Sequence, residues 1–128
     1  MTDARRLLLD THVFLWWKLD DPRLGAPARD LIATADLVFV SAASAWEAAI
    51  KAGLGKLALA ADFASGVAES GFGRLPIGFE HAAETRQLPY HHRDPFDRML
   101  MAQARVERLT LVTHDRQFEP YDVALFWT

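Results

Sequence analysis

The sequence predicts an α/β fold: three layers, α/β/α, around a short and mostly parallel central sheet. Three observations carry that prediction. Short, continuous apolar runs stand at Leu7-Leu8-Leu9, Leu37-Val38-Phe39-Val40 and Thr110-Leu111-Val112-Thr113. Stretches with helical spacing separate them, and Gly, Pro and Asp punctuate the junctions. Runs that are apolar without alternation suit strands covered on both faces, and strands that alternate with helices make a parallel sheet.

The 128 residues, 51% apolar and 24% charged, suffice for one domain with a proper core. The absence of cysteine excludes disulfides, thiolate chemistry and cysteine-ligated zinc or iron–sulfur sites, and fits a reducing compartment such as the cytoplasm. Arg5 and Arg6 are followed by only three leucines before Asp10, too few for a signal-peptide core or a membrane span, so neither export by that route nor a membrane association is expected. A net charge of −3 creates no general attraction for phosphate, so a nucleic-acid partner requires a local basic patch or a bridging metal.

Taken in order, Arg6 to Asp10 reads as a buried strand and Val13 to Lys18 as a helix. Asp20-Asp21-Pro22, with Gly25 and Pro27, makes a turn before a helix over Ala28 to Ala35, and Leu37 to Val40 is the second strand. A helix follows from Ala45 to about Gly53, with Trp46, Ala49, Ile50 and Gly53 as its packed stripe. Leu59 to Ser70 is an alanine-rich helix, and Leu75-Pro76-Ile77 is a brief strand that its proline confines to an edge. Phe79 to Leu88 is helical, Pro89 to Asp94 a loop, and a helix then runs to about Arg108. Thr110 to Thr113, a turn at Arg116 to Phe118, and a strand at Val123 to Phe126 complete the chain.

In parallel sheets the chemistry sits outside the carboxyl ends of the strands, and that rule sorts seventeen acidic residues. Asp10 follows the first strand, Glu47 lies just beyond the second, Asp115 follows the Thr110 strand, and Asp94 and Asp97 open the helix before it. Each has a plain structural role available. Asp94 before Pro95 is an N-cap, with Asp97 in the turn where the helix dipole welcomes an anion. Ser44-x-x-Glu47 is a capping box whose glutamate could pair with Lys51, and Asp115 could begin a turn.

Together, Asp10, Glu47, Asp97 and Asp115 would crowd negative charge at one edge, a frustration that a divalent cation resolves. All-oxygen ligands suit Mg²⁺ or Mn²⁺, ions that clamp phosphate oxygens and activate water, so a phosphodiester or phosphoanhydride substrate is expected. His12, His81, His91, His92 and His114 lack zinc-hydrolase spacing and read as loop residues or as hydrogen-bond partners behind the ligands. Phe14, Trp16, Trp17, Trp46 and Trp127 read as core, except that Trp16 and Trp17 cannot share one helical stripe, so one faces an interface.

Leu8-Leu9-Asp10-Thr11-His12, Ser41-Ala42-Ala43-Ser44-Ala45-Trp46-Glu47, Arg93-Asp94-Pro95-Phe96-Asp97-Arg98 and Thr113-His114-Asp115 together resemble a PIN-domain nuclease of the VapC toxin type, over essentially the whole chain. The resemblance implies a PIN-like fold and assigns Asp10, Glu47 and Asp97 to the family's acidic triad, Asp115 to its fourth acid and Thr113 to the accompanying hydroxyl. It implies a Mg²⁺- or Mn²⁺-dependent endoribonuclease that uses metal-activated water. It further implies a homodimer silenced by a VapB-like antitoxin, which would tie the complex to operator DNA. On this reading Thr11 and Thr113 orient a carboxylate or water, Asp94 supports as a cap, and Lys51, Arg93, Arg98 and Arg116 are candidate phosphate contacts. The alternatives are a non-catalytic PIN-like module that binds RNA or protein, and a phospho-accepting receiver domain. The second lacks its necessary lysine, since none follows Lys56.

Overall fold

The computed structural model describes residues 3–55 and 62–128. Its elements are β1 (Asp3–Leu9), α1 (Thr11–Lys18), α2 (Ala26–Thr34), β2 (Leu37–Ser41), α3 (Ala42–Gly53), α4 (Phe63–Glu69), β3 (Gly73–Leu75), α5 (Phe79–Glu84), α6 (Pro95–Glu107), β4 (Leu109–Thr113) and β5 (Leu125–Trp127). The five strands are parallel in the order β3-β2-β1-β4-β5. From β1 the chain builds outward through β2 and β3, then returns to the other side of β1 for β4 and β5. The end of β1 is therefore the point where the winding reverses, which is where open α/β sheets place their ligands.

Both faces of the sheet are covered. Leu7 and Leu9 of β1, with Val38, Val40 and Val112, pack against Val13, Phe14 and Trp16 of α1, Ala28 and Ile32 of α2 and Val67 of α4. Leu8, pointing the opposite way, joins Leu111 and the α6 residues Leu100, Met101 and Ala104, with Ala43, Phe118 and Tyr121. This double burial is why the strands read as unbroken apolar runs. Burial of that kind, at about 25 cal/mol per Å² of apolar surface, is the dominant force holding the layers together.

Several boundaries differ from expectation. β3 is Gly73–Leu75 rather than Leu75–Ile77; it lies at the sheet edge, with Pro76 just beyond it where no ladder donor is needed. Gly73 is required there, because a Cβ would stand 2.8 Å from the Phe39 ring. The expected helix over Phe79–Leu88 breaks into α5 and a 3₁₀ turn at Thr85–Gln87. Of the expected Leu59–Ser70 helix, the part at 59–61 lies outside the described residues, and the rest forms α4.

The larger correction is at α3. It begins at Ala42, capped by Ser41, whose side chain accepts from Ala43 N, so Ser44 is a residue of the helix and not the start of a capping box. Its inward face is Ala43, Ser44, Glu47 and Ala48, whereas Trp46 is 61% and Ile50 41% exposed. The stripe expected to pack is the one facing out. Among the described residues, no helix is long and apolar enough to cross a membrane.

Candidate functional site

Helices that connect parallel strands run back across the sheet, so the start of α6 and the exits of β1, β2 and β4 all lie at one edge. There Asp10, Glu47, Asp94, Asp97 and Asp115 line a single cleft of about 260 Å³, together with Thr11, His12, Lys51, His92, His114 and Gln117. A larger apolar groove of about 430 Å³ opens between α3, α4 and β3, but it contains no carboxylate. Asp97 reaches the cleft from the entry of a helix, and not, like Asp10 and Asp115, from a strand exit.

Asp10 is nearly buried and serves two elements at once. Its Oδ1 accepts from Val13 N at 2.8 Å, capping α1, and its Oδ2 accepts from the Thr113 hydroxyl at 2.5 Å. The cap explains why α1 starts at Thr11, two residues before the apolar spacing suggests. Thr113 Oγ1 in turn accepts from Asp115 N at 3.0 Å, and Asp115 Oδ1 accepts from Gln117 N at 2.9 Å, starting the 3₁₀ turn Arg116–Phe118. Across the cleft, the Thr11 hydroxyl donates to Glu47 Oε1 at 2.7 Å and lies 2.9 Å from Ser44 Oγ. Lys51 Nζ holds Glu47 Oε2 at 2.9 Å.

Asp94 is the N-cap of α6: its Oδ1 accepts from Phe96 N at 2.8 Å and from Asp97 N at 3.3 Å, with Pro95 at the first helical position. Asp97, one turn in, is the electrostatically frustrated member. Burial and then the carboxylates of Asp94, Asp10, Glu47 and Asp115 push its pKa up to about 8. Burial also raises the Asp10 carboxyl, although the Thr113 and Val13 hydrogen bonds and the nearby His114 and His12 oppose it. Lys51 is already paired with Glu47, so among the described residues no free cation answers this cluster.

The donor set fits a hard divalent cation. Carboxylate oxygens predominate, and positive charge would offset the burial and the repulsion that together hold a proton on Asp97. Ligand atoms of His92, Asp97 and Asp115 lie within 4.8 Å of one another. Asp10 and Glu47 face the same cleft.

His92 is the residue that sequence reasoning did not single out. It is 7% exposed, with Nε2 2.8 Å from Asp97 Oδ2 and 3.6 Å from Asp115 Oδ2. Five histidines without zinc spacing gave no reason to choose it. The available signal was its position two residues before the Asp94 cap, where the chain turns back toward α6.

The cationic candidates separate. Lys51 lines the cleft, Arg93 is exposed, and Arg116 is exposed with its guanidinium 4.3 Å over the Trp127 ring. Arg98 is not positioned for phosphate, which corrects the expectation. It is buried, and its guanidinium donates to the carbonyls of Thr85, Leu88, Pro89 and His92 at 2.7–3.3 Å. Five donors in a planar fork suit that task, fastening the loop ahead of α6 from beneath.

A family model described as the PIN domain matches residues 7–124. The chain belongs to the PIN domain family. Among solved structures, this PIN domain is similar to a VapBC complex from Salmonella typhimurium bound to DNA, at TM-score 0.67 and 20% identity, with 94% of this chain and 96% of that chain covered. It is also similar to VapBC2 from Rickettsia felis bound to a DNA fragment from its promoter, at TM-score 0.66 and 14% identity, with 94% and 96% covered. A toxin–antitoxin complex from Klebsiella pneumoniae aligns at TM-score 0.66 and 19% identity, with 97% and 96% covered. At these identities the likeness is one of fold. No curated protein sequence matches the chain.

Proposed function

We propose that this PIN domain is a Mg²⁺- or Mn²⁺-dependent endoribonuclease and the toxin of a VapBC-type toxin–antitoxin pair. The observation that carries the reading is the convergence of Asp10, Glu47, Asp97 and Asp115 on one cleft, with the Asp97 pKa pushed up to about 8 by burial and by the other acids. Such a cluster is unfavourable in the metal-free protein and favourable around a divalent ion. PIN family membership supports nuclease chemistry, and the complexes that share its fold support the toxin assignment.

In this mechanism Asp10, Glu47, Asp97 and Asp115 would hold the ion. A divalent cation bound there would supply Lewis acidity toward phosphate and would activate water as the nucleophile. Thr113 and Thr11 fix the carboxylates of Asp10 and Glu47, and the Asp94 cap sets the turn that carries Asp97. Lys51, at the rim, contacts the RNA backbone, with Arg93 and Arg116 farther out. The protein acts in the cytoplasm as a homodimer, with a VapB-like antitoxin as its inhibitor and its link to operator DNA. The exposed apolar row of Trp46 and Ile50 on α3 and Leu54 at its C-cap supports a partner surface beside the cleft.

The test is cleavage of single-stranded RNA by purified, antitoxin-free protein with Mg²⁺ or Mn²⁺, beside chelator and Asp97→Asn. Cleavage is expected only with metal and an intact Asp97. Cutting that survives both treatments refutes the metal-nuclease reading. RNA bound but not cut under every condition makes the protein a non-catalytic PIN module.

A further inference from the structure

The loop 88–94 is fixed more firmly than a surface connection requires. Tyr121 Oη accepts from His92 N at 2.6 Å and donates to Pro89 O at 2.7 Å. Arg98 holds three carbonyls of the same stretch, those of Leu88, Pro89 and His92, together with that of Thr85 just before it, and the Phe118 ring lies 5.6 Å from the His92 ring. The product of this fastening is a buried imidazole whose Nε2 faces two carboxylates from different elements, Asp97 of α6 and Asp115 after β4.

Two roles fit an imidazole so placed: it could be a metal ligand, or it could hold the carboxylates that are. The other ring nitrogen decides. A histidine that ligates through Nε2 carries its proton on Nδ1 and donates it to an acceptor, which fixes the ring. Here His92 Nδ1 faces the backbone N–H of Asp94, at 3.5 Å, and an N–H can only donate. Nδ1 therefore presents its lone pair, and in the neutral ring the proton sits on Nε2, directed at Asp97 Oδ2.

We propose that His92 is a positioning residue, whose Nε2–H holds Asp97 Oδ2 and faces Asp115 Oδ2, and so sets the separation of two carboxylates that share an ion without itself ligating it. This rests on the metal-site reading above. Asp97 keeps Oδ1 for the ion, and Asp115, whose Oδ1 accepts from Gln117 N, keeps Oδ2, which lies 3.6 Å from the same Nε2. Among the described residues, no other side chain of the cleft bridges α6 to the exit of β4 at this point, so removing the imidazole is expected to let the two carboxylates move apart.

The experiment measures Mn²⁺ binding by electron paramagnetic resonance on the full chain, for wild type, His92→Ala, His92→Gln and Asp97→Asn, with circular dichroism to verify folding. Loss of a residue that orients metal ligands weakens metal affinity by roughly 10–100-fold. His92→Ala is expected in that range, and His92→Gln, whose amide nitrogen can reach the Nε2 position, returns toward wild type. Pulsed measurements on the wild-type Mn²⁺ complex are expected to show no imidazole nitrogen coupling, and ¹⁵N shifts of the metal-free protein to place the proton on Nε2. Nitrogen coupling that vanishes in His92→Gln overturns the proposal by making His92 a ligand. Wild-type affinity in a folded His92→Ala overturns it by making the residue dispensable, while the metal site stands. If His92→Ala does not fold, His92→Gln and the two wild-type spectra decide. A wild type that binds no Mn²⁺ overturns the metal-site reading, and this inference with it.

Discussion

Helices α3 and α6 both bring an acid to the same cleft, yet they use their apolar residues in opposite ways. In α6, Asp97 shares its face with Leu100, Met101 and Ala104, all buried, so one stripe both packs the helix and aims the carboxylate. In α3, Glu47 faces inward beside Ser44, Ala43 and Ala48, and the large apolar residues Trp46 and Ile50, with Leu54 at the C-cap, face outward. Glu47 is held by hydrogen bonds from the Thr11 hydroxyl and Lys51 Nζ. Asp97 instead has burial and four carboxylates against its ionisation. One helix presents a settled acid and the other a frustrated one.

The sharpest way to break that contrast is Asp97→Asn. Partners that merely orient ligands cost roughly 10–100-fold in affinity or activity, so removing a ligand should cost more than about a hundredfold in RNA cleavage at saturating metal. The same variant should be more stable than wild type in chelator at pH 8, an opposite effect read from urea midpoints. The sign follows from the raised pKa. An unfolded aspartate ionises near about 3.9, whereas folded Asp97 keeps its proton to about 8. Between those values the folded state binds the extra proton, so metal-free stability falls as pH rises through this window and levels off above it. Asp97→Asn should reduce the slope, and a slope unchanged in the variant would remove Asp97 as its source.

Packing tests the same comparison. Leu100→Ala, on the buried stripe of α6, should cost about 2–5 kcal/mol in urea unfolding. Arg98→Lys keeps the charge but cannot reach four carbonyls, and a loss of about 1–3 kcal/mol is expected, with the N-terminal turn of α6 losing amide-exchange protection first. Trp46→Ala should cost the least, about 1 kcal/mol or less, because the side chain is mostly exposed and its main aromatic contact is the edge of Phe96 at 5.1 Å. A Trp46→Ala loss as large as that of Leu100→Ala would mean that the outward face of α3 is covered in solution.

The same contrast explains what could be read from sequence. The strands were legible because both faces are covered, leaving runs such as Leu7-Leu8-Leu9 without polar interruption. The stretch opening α6 was legible because Asp94, Pro95 and Asp97 follow capping rules that local chemistry enforces. At α3 the hydrophobic pattern misled, because it marks apolar surface and not the side that faces the sheet. When the inward positions belong to Ser44 and Glu47, the periodicity points outward. Arg98 and His92 were hidden for a related reason: their partners are backbone carbonyls and a carboxylate brought near by the loop, and neither leaves a spacing to recognise.

The hydrogen bond from Thr113 to Asp10 joins residues 103 positions apart, across the pairing of β1 with β4 at the middle of the sheet. Contacts of such sequence separation bear a large loop-closure entropy and form late relative to local helices. The cleft is thus a product of the fold's most distant pairing, and a chain with its helices formed but this strand unpaired has its acids scattered. On the proposed function, cleavage is therefore expected to begin during refolding only once β1 and β4 have paired.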